Sequence, residues 1–260
     1  EIVWIEPYGK DSIRFRSSKS LRIDEDLNWT LLEPEKTNVE VSFDNNVAIL
    51  KNGKIRAEIN IDGVIKYINN KNNILLEEHW LDKRAKNENV RHGRHYKTLS
   101  GDIFSIDLYF KANDNEYMYG LGHEPNGVFG LKGTTTELLQ KNTKITVPYY
   151  YSTCGYGFLW NNPGIGRAEF VRNHTMWHLD GASQIDYIVI AGDNPDEVNN
   201  KYTQITGRSS VLPEWATGFW QSKLRYEKQE ELLETVKEYK KRGIPLDIIV
   251  IDFFPWTQQG

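Results

Sequence analysis

LPEWATGFWQSKLRYEKQEELLETVKEYKKRGIPLDIIVIDFFPWTQQG, Leu212 to Gly260, is the stretch whose reading decides the fold. It reads as a strand (Ala216–Gln221), a loop, a helix over Lys228–Arg242 and a second strand (Leu246–Ile251), which together make one βαβ unit. Leu232, Leu233, Val236 and Tyr239 fall on one helical face; Glu227, Glu230 and Glu231 favour its start, and Lys237, Lys240, Lys241 and Arg242 its end. Gly243 then stops it. The second strand is a continuous apolar run, as expected of a parallel strand covered on both faces. Asp252 follows it, with Phe253, Phe254 and Trp256 close behind. In a (β/α)8 barrel or an open α/β sheet, the carboxyl ends of the strands are where ligands sit. An acid among three large aromatics there reads as a sugar site, with a carboxylate for hydroxyls and rings for pyranose faces. The plainer reading of Asp252 is a capping acid at a strand end.

Outward from that unit, the preceding residues alternate with period two. Ile13–Arg16, Val39–Phe43, Val47–Lys51, Ile55–Ile61 and Ile103–Phe110 are expected strands. Turn signals at Asp44-Asn45-Asn46, Asn52-Gly53, Asp62-Gly63 and Asn69–Asn73 separate them. Short alternating strands at this spacing mean a sandwich. Leu131–Asn142, Ile145–Ser152, Gly155–Asn162 and Ile185–Gly192 continue the pattern, and Tyr117–Gly127 reads as a glycine-rich loop leaving a strand. At Asp193–Gly207 the pattern changes. Asp193 or Asn194 is placed to cap a short helix with Pro195 at its first position. That helix would link the sandwich to the βαβ unit, with a boundary near Arg208–Leu212.

The composition narrows the function classes. Thirty-two basic against 36 acidic residues leave a net charge of -4, with no basic stripe to serve nucleic acid or an anionic membrane. The densest basic cluster, Lys83, Arg84, Lys86, Arg91 and Arg94 with His92 and His95, is interleaved with acids and reads as a solvated loop. No window has the apolar length to span a bilayer. The single cysteine, Cys154, precludes an internal disulfide and reads as a structural thiol. A cytoplasmic location is expected, with a secreted or periplasmic one left open because the first residue, Glu1, is not Met and a signal could have been removed. His123 with Glu124 reads as loop packing, and His174 with His178 in a β context is not a zinc pair.

The run P-x-W-x-x-G-F-W-Q-S-K-x-R-Y, the helix, and R-x-I-P-L-D-x-I-V-x-D resemble the first two barrel strands of glycoside hydrolase family 31. Y-G-L-G-x-x-x-N-G, the N-T-x-I-x-V-P strand and G-Y-G-F-L-W-N-N resemble the β-sandwich that precedes that barrel. The resemblance implies a mainly β chain: a galactose-mutarotase-like β-sandwich over residues 1–207, followed by the first βαβ of a truncated (β/α)8 barrel over 208–260. It implies the N-terminal part of a retaining α-glycosidase acting on α-glucosides or α-xylosides, with an oligosaccharide substrate and no metal or organic cofactor. The branch it resembles most is that of the bacterial α-xylosidases.

Two carboxylates must flank the scissile bond in such an enzyme. The family's W-x-D-M-N-E-like nucleophile motif is absent, so no catalytic residue is assigned and the 260 residues alone are expected to be inactive. What remains is part of the sugar subsite. By resemblance, Asp252 accepts hydroxyl hydrogen bonds and Phe253 forms an apolar wall. Leu224 holds a position that is aromatic in many members, which leaves the sugar open. Trp256 is as well suited to stacking as to packing, whereas Trp220, inside a strand, reads as core. The family's sandwich lends an Asp-bearing loop to the site; the matching Lys132–Asn142 has no Asp, so Glu137, Gln140 and Asn142 are placed to substitute, Gln140 foremost, against a plain solvated hairpin end. A non-catalytic sugar-binding sandwich is the rival reading. Two parallel strands also leave an uncovered edge, through which copies could pair as a homo-oligomer.

Overall fold

The computed structural model describes residues 1–20, 22–79 and 93–253. It divides into two compact units, Glu1–Arg208 and Ser209–Gly260.

The first unit is a sandwich of antiparallel sheets. One six-stranded sheet runs in the order Ile2–Pro7, Ser12–Ser18, Ile185–Ala191, Tyr156–Trp160, Ile145–Ser152, Met118–His123. Against it lie a five-stranded sheet ordered Thr135–Leu138, Gly166–Phe170, His174–Ala182, Ile103–Lys111, Arg94–Ser100 and a meander of five strands from Glu40–Asp44 to Ile74–Glu77. One core joins all three: Phe15, Phe158 and Tyr187 from the first sheet meet Phe110 and Trp177 of the second and Tyr67 of the third. Phe158 stacks on Trp177 at 4.9 Å between ring centroids, and Phe15 on Tyr187 at 4.8 Å. Such aromatic pairs add roughly 0.5–1.5 kcal/mol each beyond their buried area. Many of the chain's aromatic residues, 8 Trp, 14 Tyr and 10 Phe in all, are therefore consumed in packing.

The strand Ile185–Ala191 is buried at every position, although most antiparallel strands alternate. The reason is a second layer. Helix α1 (Pro195–Thr206) covers the outer face, where Val198 and Ile205 join Ile188, Ile190, Leu159 and Tyr8 in a separate cluster. Asn194 caps α1 by accepting the Glu197 N–H at 2.9 Å, and Pro195 takes the first turn, as the sequence expects. The hairpin turns also follow the sequence: Asn45 and Asn46 have positive φ, and Gly53 (φ +60) closes Val47–Asn52 onto Ile55–Asn60.

Three expectations need correction here. Leu131–Asn142 keeps strand geometry only over Thr135–Leu138. Tyr117–Gly127 is not simply a loop, since Met118–His123 is a strand carrying a bulge. Arg94 is not solvated: it is buried, paired with Glu78 at 3.0 Å and Glu1 at 2.9 Å. Lys83, Arg84, Lys86, Arg91 and His92 lie outside the described residues.

The second unit holds the βαβ. Helix α2 (Gln229–Lys241) matches its expected span, and Gly243, at φ +65, ends it. The two strands are parallel but only two residues each, Trp220 opposite Ile248 and Gln221 opposite Ile249. The expected strand Ala216–Gln221 begins instead with a 3-10 turn, Glu214–Thr217. Thr217 Oγ donates to Glu214 O, and the Asp247 carboxylate takes the Phe219 N–H at 3.0 Å, which pins Gly218 where no Cβ would fit. Trp220 is corrected from core to half-exposed. Taken by itself, this unit buries none of its described residues, because a strand pair with one helix lacks a second apolar layer.

Candidate sugar site

The carboxyl ends of the two parallel strands carry the expected subsite residues of the second unit. Asp252 lies three residues past Ile249, and Leu224 three past Gln221, so both belong to the same end of the strand pair. The Asp252 carboxylate accepts the N–H of Phe253 at 2.8 Å. Phe253 itself has φ +56. A bulky residue in the left-handed region costs on the order of 1–3 kcal/mol, and such strain gathers at ligand sites. The bond leaves the other carboxylate oxygen and most lone pairs of Asp252 open to donors. Leu224 is largely exposed in its loop. Below the loop, Gln221 ties the unit together, donating to the Tyr226 hydroxyl at 3.2 Å and accepting from Tyr239 of α2. Trp256 lies outside the described residues.

Gln140 belongs to the first unit and is not a free ligand. Its Nε2 donates to Thr146 O at 2.7 Å and its Oε1 accepts the Thr146 N–H at 3.0 Å, so its side chain acts as a surrogate strand on Ile145–Ser152. Across the ladder from Thr146 sits Gly122. That places Gln140 at the end of the sandwich where the bulge turns Met118–His123 aside.

The bulge has a clear cause. Gly120 and Gly122 run so close to the neighbouring strand that a Cβ on either would sit 2.4 Å from Tyr149 O or 2.1 Å from Ile145 O, and fully buried Leu121 between them has φ +64. Bulges re-aim chains at functional edges. Beyond this one opens a cavity of about 320 Å3, lined by Tyr119, His123, Glu124, Asn126 and Phe129 among others. Tyr119 and Phe129 pair at 5.0 Å, with Phe129 83% exposed; a ring that open is available for stacking. Glu124 is held by Lys144 at 2.7 Å, which fits loop packing better than acid-base work. Sequence reasoning missed Tyr119 and Phe129. The signal available was the three glycines of YMYGLGHEPNG, which mark a backbone under constraint.

The remaining candidates stay structural. His178 is fixed between Asp107 (2.6 Å) and Asp180 (3.1 Å), and no metal-binding cluster of His, Cys, Asp or Glu occurs among the described residues. Burial pushes the Cys154 thiol up, away from a nucleophile's range. No helix among the described residues is long and apolar enough to cross a membrane.

The model of the glycosyl hydrolase 31 N-terminal galactose mutarotase-like domain matches residues 2–167, and that of the family 31 TIM-barrel domain matches 209–260. The chain belongs to glycoside hydrolase family 31. An uncharacterised family 31 glucosidase, ORF2, of Pseudescherichia vulneris is 36% identical over the whole chain, which spans 51% of that relative. An α-xylosidase of Saccharolobus solfataricus is 38% identical over 60% of the chain and 23% of its own length. Among solved structures, a family 31 α-xylosidase from a soil metagenome, complexed with xylose, superposes with a TM-score of 0.92 at 37% identity over 99% of this chain and 40% of that one. A xylosidase from Aspergillus niger gives 0.82 at 25% identity, covering 99% and 38%. The chain thus spans about half or less of the length of these family 31 relatives, and it corresponds to their N-terminal part.

Proposed function

We propose that these residues form the N-terminal part of a retaining α-glycosidase that removes α-linked xylose, or secondarily glucose, from oligosaccharides, and that it works in the cytoplasm. The observation that carries the reading is Asp252 at the carboxyl end of a parallel strand within the stretch matched by the barrel domain. Xylose is preferred over glucose because the structural relatives named above are xylosidases. The single free Cys154 fits a reducing compartment. The chemistry follows double displacement. One carboxylate attacks the anomeric carbon, a protonated one assists the leaving oxygen, and water completes the second step. In this scheme Asp252 performs neither step. It grips sugar hydroxyls whose hydrogen bonds tighten as the ring flattens toward the oxocarbenium-like state.

The test is a full-length enzyme assayed on p-nitrophenyl α-xyloside and α-glucoside, with Asp252→Ala beside it. Loss of charge-assisted hydroxyl contacts should lower kcat/KM by roughly 100-fold, or about 3 kcal/mol. An unchanged kcat/KM removes Asp252 from the subsite, and turnover of neither glycoside overturns the proposal. The 260-residue chain alone should show no hydrolysis of either.

A further inference from the structure

On the sandwich, just past the end of the strand Tyr156–Trp160, Asn161, Asn162, Gln184 and Asp186 line a pocket of about 260 Å3 with Trp29 among its walls. Typical cavities for drug-sized ligands run from roughly 300 to 1,000 Å3, so this one suits a single ring.

Its walls are set before any ligand arrives. Asp186 is fully buried and bidentate to Arg14 (2.9 and 2.6 Å), and it also accepts from Asn161 Nδ2 at 2.7 Å. Asn162 Nδ2 donates to Asp186 O at 2.6 Å, and Gln184 Oε1 accepts the Asp24 N–H at 2.9 Å. Each amide is oriented by its bond to the frame. The Asn161 and Asn162 carbonyl oxygens have no hydrogen-bond partner among the described residues. The one carboxylate in the pocket is neutralised by its guanidinium. A neutral, hydroxyl-bearing ligand therefore suits the pocket, and neither an anion nor a cation finds an unpaired counter-charge.

Trp29 supplies the apolar half. It is 55% exposed and has φ +50, a conformation that bulky residues seldom take. The turn that imposes it is tied down: Leu31 N–H donates to Asn28 O at 2.8 Å, and Arg14 Nη1 holds Asn28 Oδ1 at 2.9 Å. So the guanidinium that neutralises Asp186 also holds the turn bearing the ring. Packing does not account for an exposed indole kept in a strained backbone beside a row of amides.

We infer that this pocket is a second carbohydrate site, in which a neutral pyranose stacks on Trp29 and hydrogen-bonds the side chains of Asn161 and Asn162. It is built by residues of the first unit, whereas Asp252 belongs to the second, and it stands whether or not the protein hydrolyses glycosides. A site of this kind would hold a glycan chain near the enzyme without reacting with it.

Saturation-transfer NMR on the 260-residue chain with xylose, glucose and maltose tests the assignment, beside glucuronate as a charged control. Binding is expected with Kd on the order of 1–10 mM, with glucuronate excluded. Trp29→Asn should weaken it at least tenfold while Tm holds or rises, because Asn tolerates positive φ. Asn162→Ala should weaken it as well, and the binding that depends on Trp29 should persist in Asp252→Ala. The inference is overturned if no sugar binds at about 100 mM, if Trp29→Asn binds as the parent does, or if glucuronate binds as well as glucose. Loss of binding in Asp252→Ala alone would overturn it too, while leaving the glycosidase proposal standing.

Discussion

Glu78 is a carboxylate sealed between sheets. Arg94 Nη1 lies 3.0 Å away and the Ile65 N–H 3.5 Å, but the other Arg94 donors are committed to Glu1 and to Gly63 O. Burial outweighs these contacts and pushes the Glu78 pKa up to about 7. Its unfolded value is near 4.5, so the folded state holds the proton more tightly. The sign follows from that order. Stability from this residue is complete below about pH 4.5 and is lost as pH rises through about 7, by up to about 3 kcal/mol. Glu78→Gln, which stays neutral, should flatten that slope. Urea unfolding of both proteins at pH 5 and pH 8 checks it, and equal slopes would assign the dependence elsewhere. A buried acid of this kind gives no sign in sequence, where Glu77 and Glu78 look alike.

At the scale of elements, α1 was legible almost to the residue because a cap and a proline are local chemistry. Asn194→Ala removes the one side chain satisfying the Glu197 N–H and should cost about 1 kcal/mol, read as a lower urea midpoint at unchanged m. The bulge between Gly120 and Gly122 is less forgiving. A Cβ on Gly122 would meet Ile145 O at 2.1 Å and Val147 N at 2.8 Å, both backbone atoms that cannot swing away. Gly122→Ala should therefore cost about 3 kcal/mol or more, with Gly130→Ala, where a Cβ meets nothing, as the unaffected control. The strands Arg94–Ser100, Gly166–Phe170 and His174–Ala182 escaped the sequence reading for a physical reason. Gly166–Phe170 does alternate, with Arg167 and Glu169 outward, but its inward positions include the small Gly166 and Ala168, and the buried face of His174–Ala182 opens on the polar Thr175, so large apolar residues do not mark the period. Asp252 and Leu224 could be placed at one strand end from the βαβ pattern alone. Tyr119, Phe129 and Trp29 could not, since their exposure depends on pairings between residues far apart in the chain.

The whole molecule joins units of unequal local stability. Residues 1–208 share a core of three sheets in which Ile13, Phe15, Phe158, Trp177 and Tyr187 are completely buried, whereas the second unit taken by itself encloses none of its described residues. Free energies of local opening follow buried apolar contact, so amide exchange in the 260-residue chain should be bimodal. Amides of Ser12–Ser18, Tyr156–Trp160 and Ile185–Ala191 should exchange only by global unfolding. Those of Trp220–Gln221 and Ile248–Ile249, in a two-residue ladder with an open edge, should exchange many orders of magnitude faster. Mass spectrometry of peptides from both regions reads this directly. Slow exchange at Ile248–Ile249 in a monomer would mean that the βαβ has closed a core of its own. Slow exchange that appears only as concentration rises would instead mean that copies of the chain cover the edge for one another.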